Sequence, residues 1–484
     1  MRIRYLPEID RQALRKLRNA ESVDSVAEIL NEVIHREYSL QALWEYRKFF
    51  DLLTPKQFEK YPDLYIGYSH IFVLRGKLSE AKRYLKMAPQ DSILTHYAWI
   101  LMPANDKEQW RESMAQIRKD NRGKGGEFTI TAGRPSVING AWDMTQYLKF
   151  AKDNKDTVIR GFEKIYGEQA ESIYTLALAE HLYYQDKCYD ALVLIVSLIP
   201  KLKEERDMRL LFVALVLECF IMVTKNQTSS TVSLIENLRE QISYAGHEEF
   251  LPNIDAFDAW CAMYDGDYAR VVKWMREDAP DEFSRFCMLD TFRYMVKMRA
   301  YIILGKYLSV TALCKKLLPI LEEGKRYMDI CELHLIWAMS DHADGREVQA
   351  ISHLKEALAL SEKYHYDRLI ADEGKRVLDL LRLYRNDETK SPYLSWITEL
   401  TEATATQFPR YLKTQLPEKP SLTPKEMMVL RLLCENMSNT EIASELEISI
   451  DTVKTHIKKI FAKLEVKNRR LAAQRAEEYG LIKA

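Results

Sequence analysis

Small, apolar and helix-breaking residues follow a repeating pattern along the body of the chain. The five clearest breaks lie 39 or 40 residues apart, at Asp186, Asn226, Gly266, Gly305 and Gly345. A small or β-branched residue follows each break by five positions, and a larger aliphatic or sulfur-containing residue follows it by nine. A sequence period near 40 residues with helical spacing predicts stacked pairs of helices.

The sharpest copy of this pattern is GREVQAISHLKEALALSEK, which begins at Gly345, and an isolated earlier copy begins at Gly76. In a helical solenoid each helix pair buries its apolar face against the neighbouring pairs, so the pairs share one continuous core. Small residues after each break would let the helices approach closely. The pattern resembles tetratricopeptide-type repeats in a longer version. The alternative is a set of unrelated helical hairpins that share this spacing by coincidence.

The composition supports an all-α protein. Glycine (16) and proline (15) are scarce, at about 6% of the chain together, which is half the usual share. The seven cysteines form no CxxC pair, so neither a zinc site nor a disulfide framework is predicted. The longest apolar run, residues 210–223, includes Glu218 and is too short to cross a bilayer. We expect a cytoplasmic protein with no metal and no membrane segment.

Residues 121–143 interrupt the helical pattern with five glycines in NRGKGGEFTITAGRPSVINGAWD. We expect an irregular loop here, between helical repeats in 1–120 and a longer solenoid in 144–408. Its apolar residues predict that the loop packs back onto the repeats. Arg134 could then face an anionic ligand group and Trp142 could stack on it, which makes the loop a candidate effector site. The alternative is that the loop only seals the junction between two blocks of repeats.

The C-terminal region begins after residues 409–420, which contain three prolines and have the composition of a linker. Residues 421–484 then show four helix starts. The first two are capping boxes, in which a serine or threonine precedes a glutamate by three positions. The four helix starts are Thr423 with Glu426, Ser438 with Glu441, Ser449, and Asn468. The predicted second and third helices, 439–446 and 450–464, are joined by a turn of about three residues, as in a helix-turn-helix.

The third of these helices has two distinct faces. Val453, Ile457, Ile460, Phe461 and Leu464 fall on one side at helical spacing and should be core. Lys454, Thr455, Lys458 and Lys459 fall on the opposite side. A basic face with short side chains suits the major groove of DNA. Taken alone, the same lysines could simply form a solvated helix surface.

The charge distribution supports the DNA interpretation. The whole chain has a formal net charge of −1, but residues 449–475 contain eight lysines and arginines against two acidic residues. A local basic patch on a neutral chain indicates a localised site for a polyanion.

The whole 421–484 segment resembles the LuxR-type helix-turn-helix family. The landmarks are the LTPKE opening, SNTEIA, TVKTHIKKIFAKL, NRRLAA and the closing GLI. The resemblance implies that Lys454, Thr455 and Lys458 meet base edges and that Ser449, Thr452 and Arg469 meet phosphates. Asn439, Thr440 and Lys459 complete the implied DNA-binding set, with Thr440 in place of a lysine that is frequent in the family. It also implies a dimer contact through the helix at 468–479.

The body resembles the C-terminal half of large MalT-like regulators, through its repeats and the segments YDRLIADEGKRVLDLL and SPYLSWITEL. Regulators of that type begin with an ATPase domain, whereas this chain contains no P-loop. We therefore expect no nucleotide cofactor and no enzyme activity.

The resemblance implies a transcriptional regulator that binds double-stranded DNA as a homodimer. Its helical body would respond to a small-molecule or protein effector, and RNA polymerase would be a further partner. The alternative function is a protein-interaction scaffold that its DNA-binding domain localises.

Overall fold

The computed structural model describes residues 8–36, 40–104, 106–119, 134–140, 143–145, 153–385, 391–413, 422–435, 437–464, 466, 468–478 and 481. The chain divides into two compact units, Met1–Lys413 and Thr414–Ala484. Each unit has its own apolar core. None of the helices in the described ranges combines the length and the apolar character needed to cross a bilayer.

Within the described ranges, the first unit begins with eight helices. They are α1 (Glu8–Arg18), α2 (Val23–Ile34), α3 (Leu40–Phe50), α4 (Pro55–Lys60), α5 (Leu64–Leu74), α6 (Leu78–Met87), α7 (Ile93–Ile100) and α8 (Lys107–Ile117). The turn between α5 and α6 contains Gly76 with a positive φ of 69°, at the predicted early break. Leu30, Leu43 and Tyr46 are fully buried in the core that α1 to α5 share.

Five helix pairs follow a leading helix, as the 40-residue period predicts. The leading helix is α9 (Lys155–Tyr166), and the pairs are α10 (Ala170–Tyr184) with α11 (Cys188–Glu204), α12 (Met208–Thr224) with α13 (Thr228–Tyr244), α14 (Leu251–Asp265) with α15 (Tyr268–Glu277), α16 (Thr291–Ile303) with α17 (Tyr307–Glu323), and α18 (Tyr327–Ala343) with α19 (Glu347–Tyr364). Short 3₁₀ turns lie at Gly167–Gln169, Glu248–Phe250 and Met288–Asp290. The all-α fold with a helical-repeat body is confirmed.

Each predicted break is the turn inside one pair. Asp186, Asn226, Gly266, Gly305 and Gly345 all have positive φ, between 57° and 78°. This left-handed conformation ends a helix because it turns the chain away from the helix axis while the last carbonyls still find N–H partners. Glycine adopts it without steric cost, and aspartate and asparagine tolerate it better than other residues do.

The residues five positions after each break are essentially inaccessible to solvent. They are Ala191, Thr231, Val271, Val310 and Ala350. The first helices of the later pairs are buried on all sides, whereas the second helices keep one solvent-exposed face. The first helices therefore form the interior of the solenoid.

Three further helices close the first unit: α20 (Asp367–Ala371), α21 (Gly374–Arg385) and α22 (Pro392–Gln407). The segment after α22 differs from the linker that composition predicts. Tyr411 and Leu412 are buried in the body core, and the Tyr411 ring stacks on Tyr264 at 4.1 Å between centroids. Residues 409–413 therefore belong to the body. Burial of the Tyr411 and Leu412 side chains stabilises this position, and the proline content of the segment does not reveal it.

The second unit contains α23 (Pro424–Cys434), α24 (Asn439–Glu445), α25 (Ile450–Lys463) and α26 (Arg469–Glu478). Val429, Leu433, Ile442, Val453 and Ile460 meet in its core and are inaccessible to solvent. Four helices around one small apolar core match the predicted C-terminal domain.

Candidate nucleic-acid interface

The start of α23 is tied to α25 through one buried carboxylate. Glu426 Oε2 accepts hydrogen bonds from the Thr423 N–H at 2.8 Å and from Lys463 Nζ at 2.7 Å. These hydrogen bonds lower the pKa of Glu426 to about 2, and the one from Lys463 contributes most. The predicted capping box is present, and the ion pair with Lys463, which the sequence pattern does not reveal, adds a link between two helices.

The turn between α24 and α25 sets the position of α25. The Ser438 and Glu441 capping box starts α24, and Glu447 ends it in the left-handed conformation with φ 52°. The Ile448 N–H then donates to the Ala443 carbonyl at 3.0 Å. This six-residue closure fixes the direction in which the chain leaves α24. The two helices and this short turn form a helix-turn-helix.

Helix α25 presents the two faces expected from its sequence. Its N-cap is Ser449, whose Oγ accepts from the Thr452 N–H at 3.2 Å. Val453, Ile460 and Leu464 are completely buried, and Ile457 and Phe461 are half-buried against the same core. The exposed side holds Thr452, Lys454, Thr455, Lys458 and Lys459.

The exposed side chains of α25 are not equivalent. Lys454 Nζ lies 3.3 Å from the Asp451 carboxylate, and the Thr455 hydroxyl donates to the Asp451 carbonyl at 2.9 Å. Lys458 and Lys459 form no ion pair with any described residue of this unit. Lys458 and Lys459 can therefore bind an anion without breaking an existing ion pair. Lys454 would first have to break its ion pair with Asp451.

Arg469, predicted to contact a phosphate, has partners within the domain. Its guanidinium donates to the Met437 carbonyl and to Asn439 Oδ1, the latter at 2.7 Å. Asn439 is half-buried, and the neighbouring Thr440 is exposed at the first turn of α24. Arg469 therefore links the beginnings of α26 and α24, and a phosphate contact by the same side chain stays a prediction.

The candidate effector residues lie in the first unit. Arg134 is buried, and its guanidinium donates to Asp329 and Glu332 of α18, each at 2.7 Å. Trp142 lies outside the described residues. Val137 and Ile138 are buried in the body core, so the described part of the loop does pack onto the repeats.

The second unit thus belongs to the helix-turn-helix class of domains, with a basic helix exposed along one face. Residues 420–476 match the family described as "Bacterial regulatory proteins, luxR family". The chain is also similar to the "HTH-type transcriptional regulator MalT" of Klebsiella pneumoniae, with 25% identity over 273 residues. That alignment covers 51% of this chain and 29% of the relative.

The alignment with that relative is longer than the whole second unit, so it extends into the helical body. The C-terminal domain is therefore a LuxR-type helix-turn-helix domain, and the repeat body that precedes it is MalT-like. The chain spans less than a third of the length of that relative.

Proposed function

We propose that this chain is a transcriptional regulator that recognises specific double-stranded DNA sites through α25. The observation that carries the proposal is the exposed row of lysines and threonines directly opposite the buried face of α25. The core holds one side of the helix against α23 and α24, so the other side is the one free to enter the major groove.

The resemblance to the LuxR-type family gives separate roles to the members of this row. By that resemblance Lys454, Thr455 and Lys458 would meet base edges, and all three are exposed on α25. Ser449 and Thr452 lie at the N-terminus of α25, where backbone N–H groups and the helix dipole favour a phosphate. Lys459 and the α24 residues Asn439 and Thr440 would contact the flanking backbone.

The partners follow from the same proposal. A homodimer would place two copies of α25 on a dyad site, with α26 as the dimer contact. RNA polymerase would be a further partner of the DNA-bound regulator. The helical body would sense an effector, with the segment around Arg134 contributing to that site. Charge supports the DNA part, because eight cationic residues lie within 449–475 on a chain with a net charge of −1.

The test compares Lys458→Ala with a matched control, Lys425→Ala, which removes an exposed lysine on α23. DNA fragments recovered by genome-wide mapping of the bound protein would be used beside shuffled fragments, and affinities measured by fluorescence anisotropy at several salt concentrations. Lys458→Ala should weaken binding to the specific DNA by about 1–3 kcal/mol. Its binding to shuffled DNA should weaken by only a small fraction of that amount. Equal losses on both DNAs would contradict base recognition by Lys458.

A further inference from the structure

Residues 134–140, which we call the strap, run through the interior of the solenoid. All seven residues of the strap are buried. They contact α10 of the first helix pair through Glu180, and α18 of the fifth pair through Asp329 and Glu332. The strap therefore lies in a groove that the first helices of distant repeats build together, which is the surface that a solenoid uses to hold an extended segment.

Hydrogen bonds and charges hold the strap along its length. Glu180 accepts from the Ser136 hydroxyl at 2.5 Å and from the Val137 N–H at 2.6 Å. Asn139 Nδ2 donates to Asp329 Oδ1 at 2.7 Å, and Arg326 donates to the Asn139 and Gly140 carbonyls. Contacts to backbone groups give affinity for an extended chain, and contacts to side chains select its sequence.

The most selective position in the groove is the one that holds Arg134. Two carboxylates receive its guanidinium, and the planar fork of an arginine matches such a pair better than a lysine does. An anionic effector group does not fit at this point, because it would meet Asp329 and Glu332 rather than a free arginine. The site on the repeats is complementary to a cation.

Each carboxylate that holds Arg134 also has a cationic partner on the repeats. Asp329 also pairs with Arg326 at 2.5 Å, and Glu332 also pairs with Arg299 at 2.8 Å. Both arginines belong to the repeats, so loss of Arg134 leaves neither carboxylate without a cationic partner. Loss of Arg134 therefore does not create an unpartnered buried carboxylate at this point, which would be strongly destabilising.

A chain of buried contacts connects the groove to the end of the body. Arg299 bridges Glu332 and Glu373, at 2.8 Å to each carboxylate. The Tyr411 hydroxyl donates to the second oxygen of Glu373 at 3.0 Å. Tyr411 lies three residues before the second unit begins at Thr414. A change at Glu332 can therefore alter the contacts of the segment that leads to the DNA-binding domain.

We propose that this groove is a peptide-binding site and that the strap is its resident ligand. The effector that competes for it is a partner protein with an extended segment of the same chemistry, in which an arginine precedes a serine and two aliphatic residues. This inference rests on the proposed function in taking the body as the sensor, and it names the class of effector.

The test uses the full chain and a labelled peptide, RPSVING, which copies the strap. Peptide binding would be followed by fluorescence anisotropy without DNA. Arg134→Ala weakens the resident strap, so this variant should bind the peptide at least tenfold more tightly than the unaltered chain does. A peptide with alanine in place of its arginine should lose that gain. Arg346→Ala, at an ion pair with Asp341 outside the groove, is the matched control and should bind the peptide as the unaltered chain does.

Two results would overturn the proposal. One is a folded Arg134→Ala chain that binds the two peptides equally or binds neither. The other is an Arg134→Ala chain that fails to fold while Arg346→Ala folds, since the strap would then be a permanent part of the body.

In Arg134→Ala, bound peptide should also change DNA affinity at least threefold, and Tyr411→Phe should remove that change while peptide affinity stays the same. Failure of DNA binding alone would contradict the proposed function and leave the peptide result standing.

Discussion

Replacement of Glu426 tests how the DNA-binding domain holds α25 in place. Its carboxylate is 4% exposed and accepts from both the Thr423 N–H and Lys463 Nζ. Hydrogen bonds to charged groups contribute about 1.5–3 kcal/mol each when they are lost. Lys463 is 37% exposed and regains water in the variant, so we count only the lost bond from the Thr423 N–H, at about 2 kcal/mol, for Glu426→Ala. Glu426→Gln keeps an acceptor for the Thr423 N–H and should cost about 1 kcal/mol.

The pH dependence of unfolding follows from the same carboxylate. Its pKa falls from 4.5 in the unfolded chain to about 2 in the folded domain. The folded state therefore binds fewer protons between these values, so this stabilisation is complete above pH 4.5 and is lost as the pH falls toward 2. Glu426→Gln has no proton to gain at this position, so the acid-dependent loss of stability that belongs to Glu426 should disappear.

The assay is thermal unfolding of the 421–484 fragment, followed by circular dichroism at pH 7 and pH 3. At pH 7 the Tm of Glu426→Ala should fall by about 8–16 °C, since 1 kcal/mol corresponds to about 4–8 °C in a domain of this size. Glu445→Ala, an exposed glutamate on α24, is the control and should change little. The reasoning is refuted if Glu426→Gln retains the full pH dependence of the unaltered fragment, or if both Glu426 variants melt like the control.

Other substitutions probe single features of the two units. Glu447→Gly should raise the Tm of the 421–484 fragment, because relief of about 1 kcal/mol of left-handed strain exceeds the roughly 0.5 kcal/mol of added chain entropy; an unchanged or lower Tm would contradict this. Burial raises the pKa of Glu180 to about 7, so the body should lose stability as the pH rises from 4.5 through 7, and Glu180→Gln should abolish that loss in urea unfolding curves. Lys454→Ala should weaken specific DNA binding less than Lys458→Ala, because Lys454 already pairs with Asp451; anisotropy measurements that rank them the other way would count against the base-contact assignment. Arg469→Ala should weaken binding to all DNA sequences, flatten its salt dependence and lower the Tm of the fragment, and a site-specific loss with an unchanged Tm would contradict both of its roles.

Features that depend on neighbours in sequence were determined by the sequence itself. Asp186 and Gly345 mark turns because left-handed backbone is a property of single residues. Thr423 and Ser438 start helices because each cap bonds to a residue three positions away. The exposed row around Lys458 follows from the 3.6-residue turn of one helix. These local rules were sufficient for the helical-repeat body, the helix-turn-helix and the exposed basic side of α25.

Contacts between distant parts of the chain were decided only by the tertiary structure. Arg134 could be placed on a loop from sequence, but its partners Asp329 and Glu332 are nearly 200 residues away. The prolines around Tyr411 predict a linker, but the Tyr411 ring stacks on Tyr264 of α14. Which side chains meet across a solenoid depends on the small rotation between successive helix pairs, summed over all of them. No local pattern records that sum, so the interior of the body became visible only once the repeats were assembled.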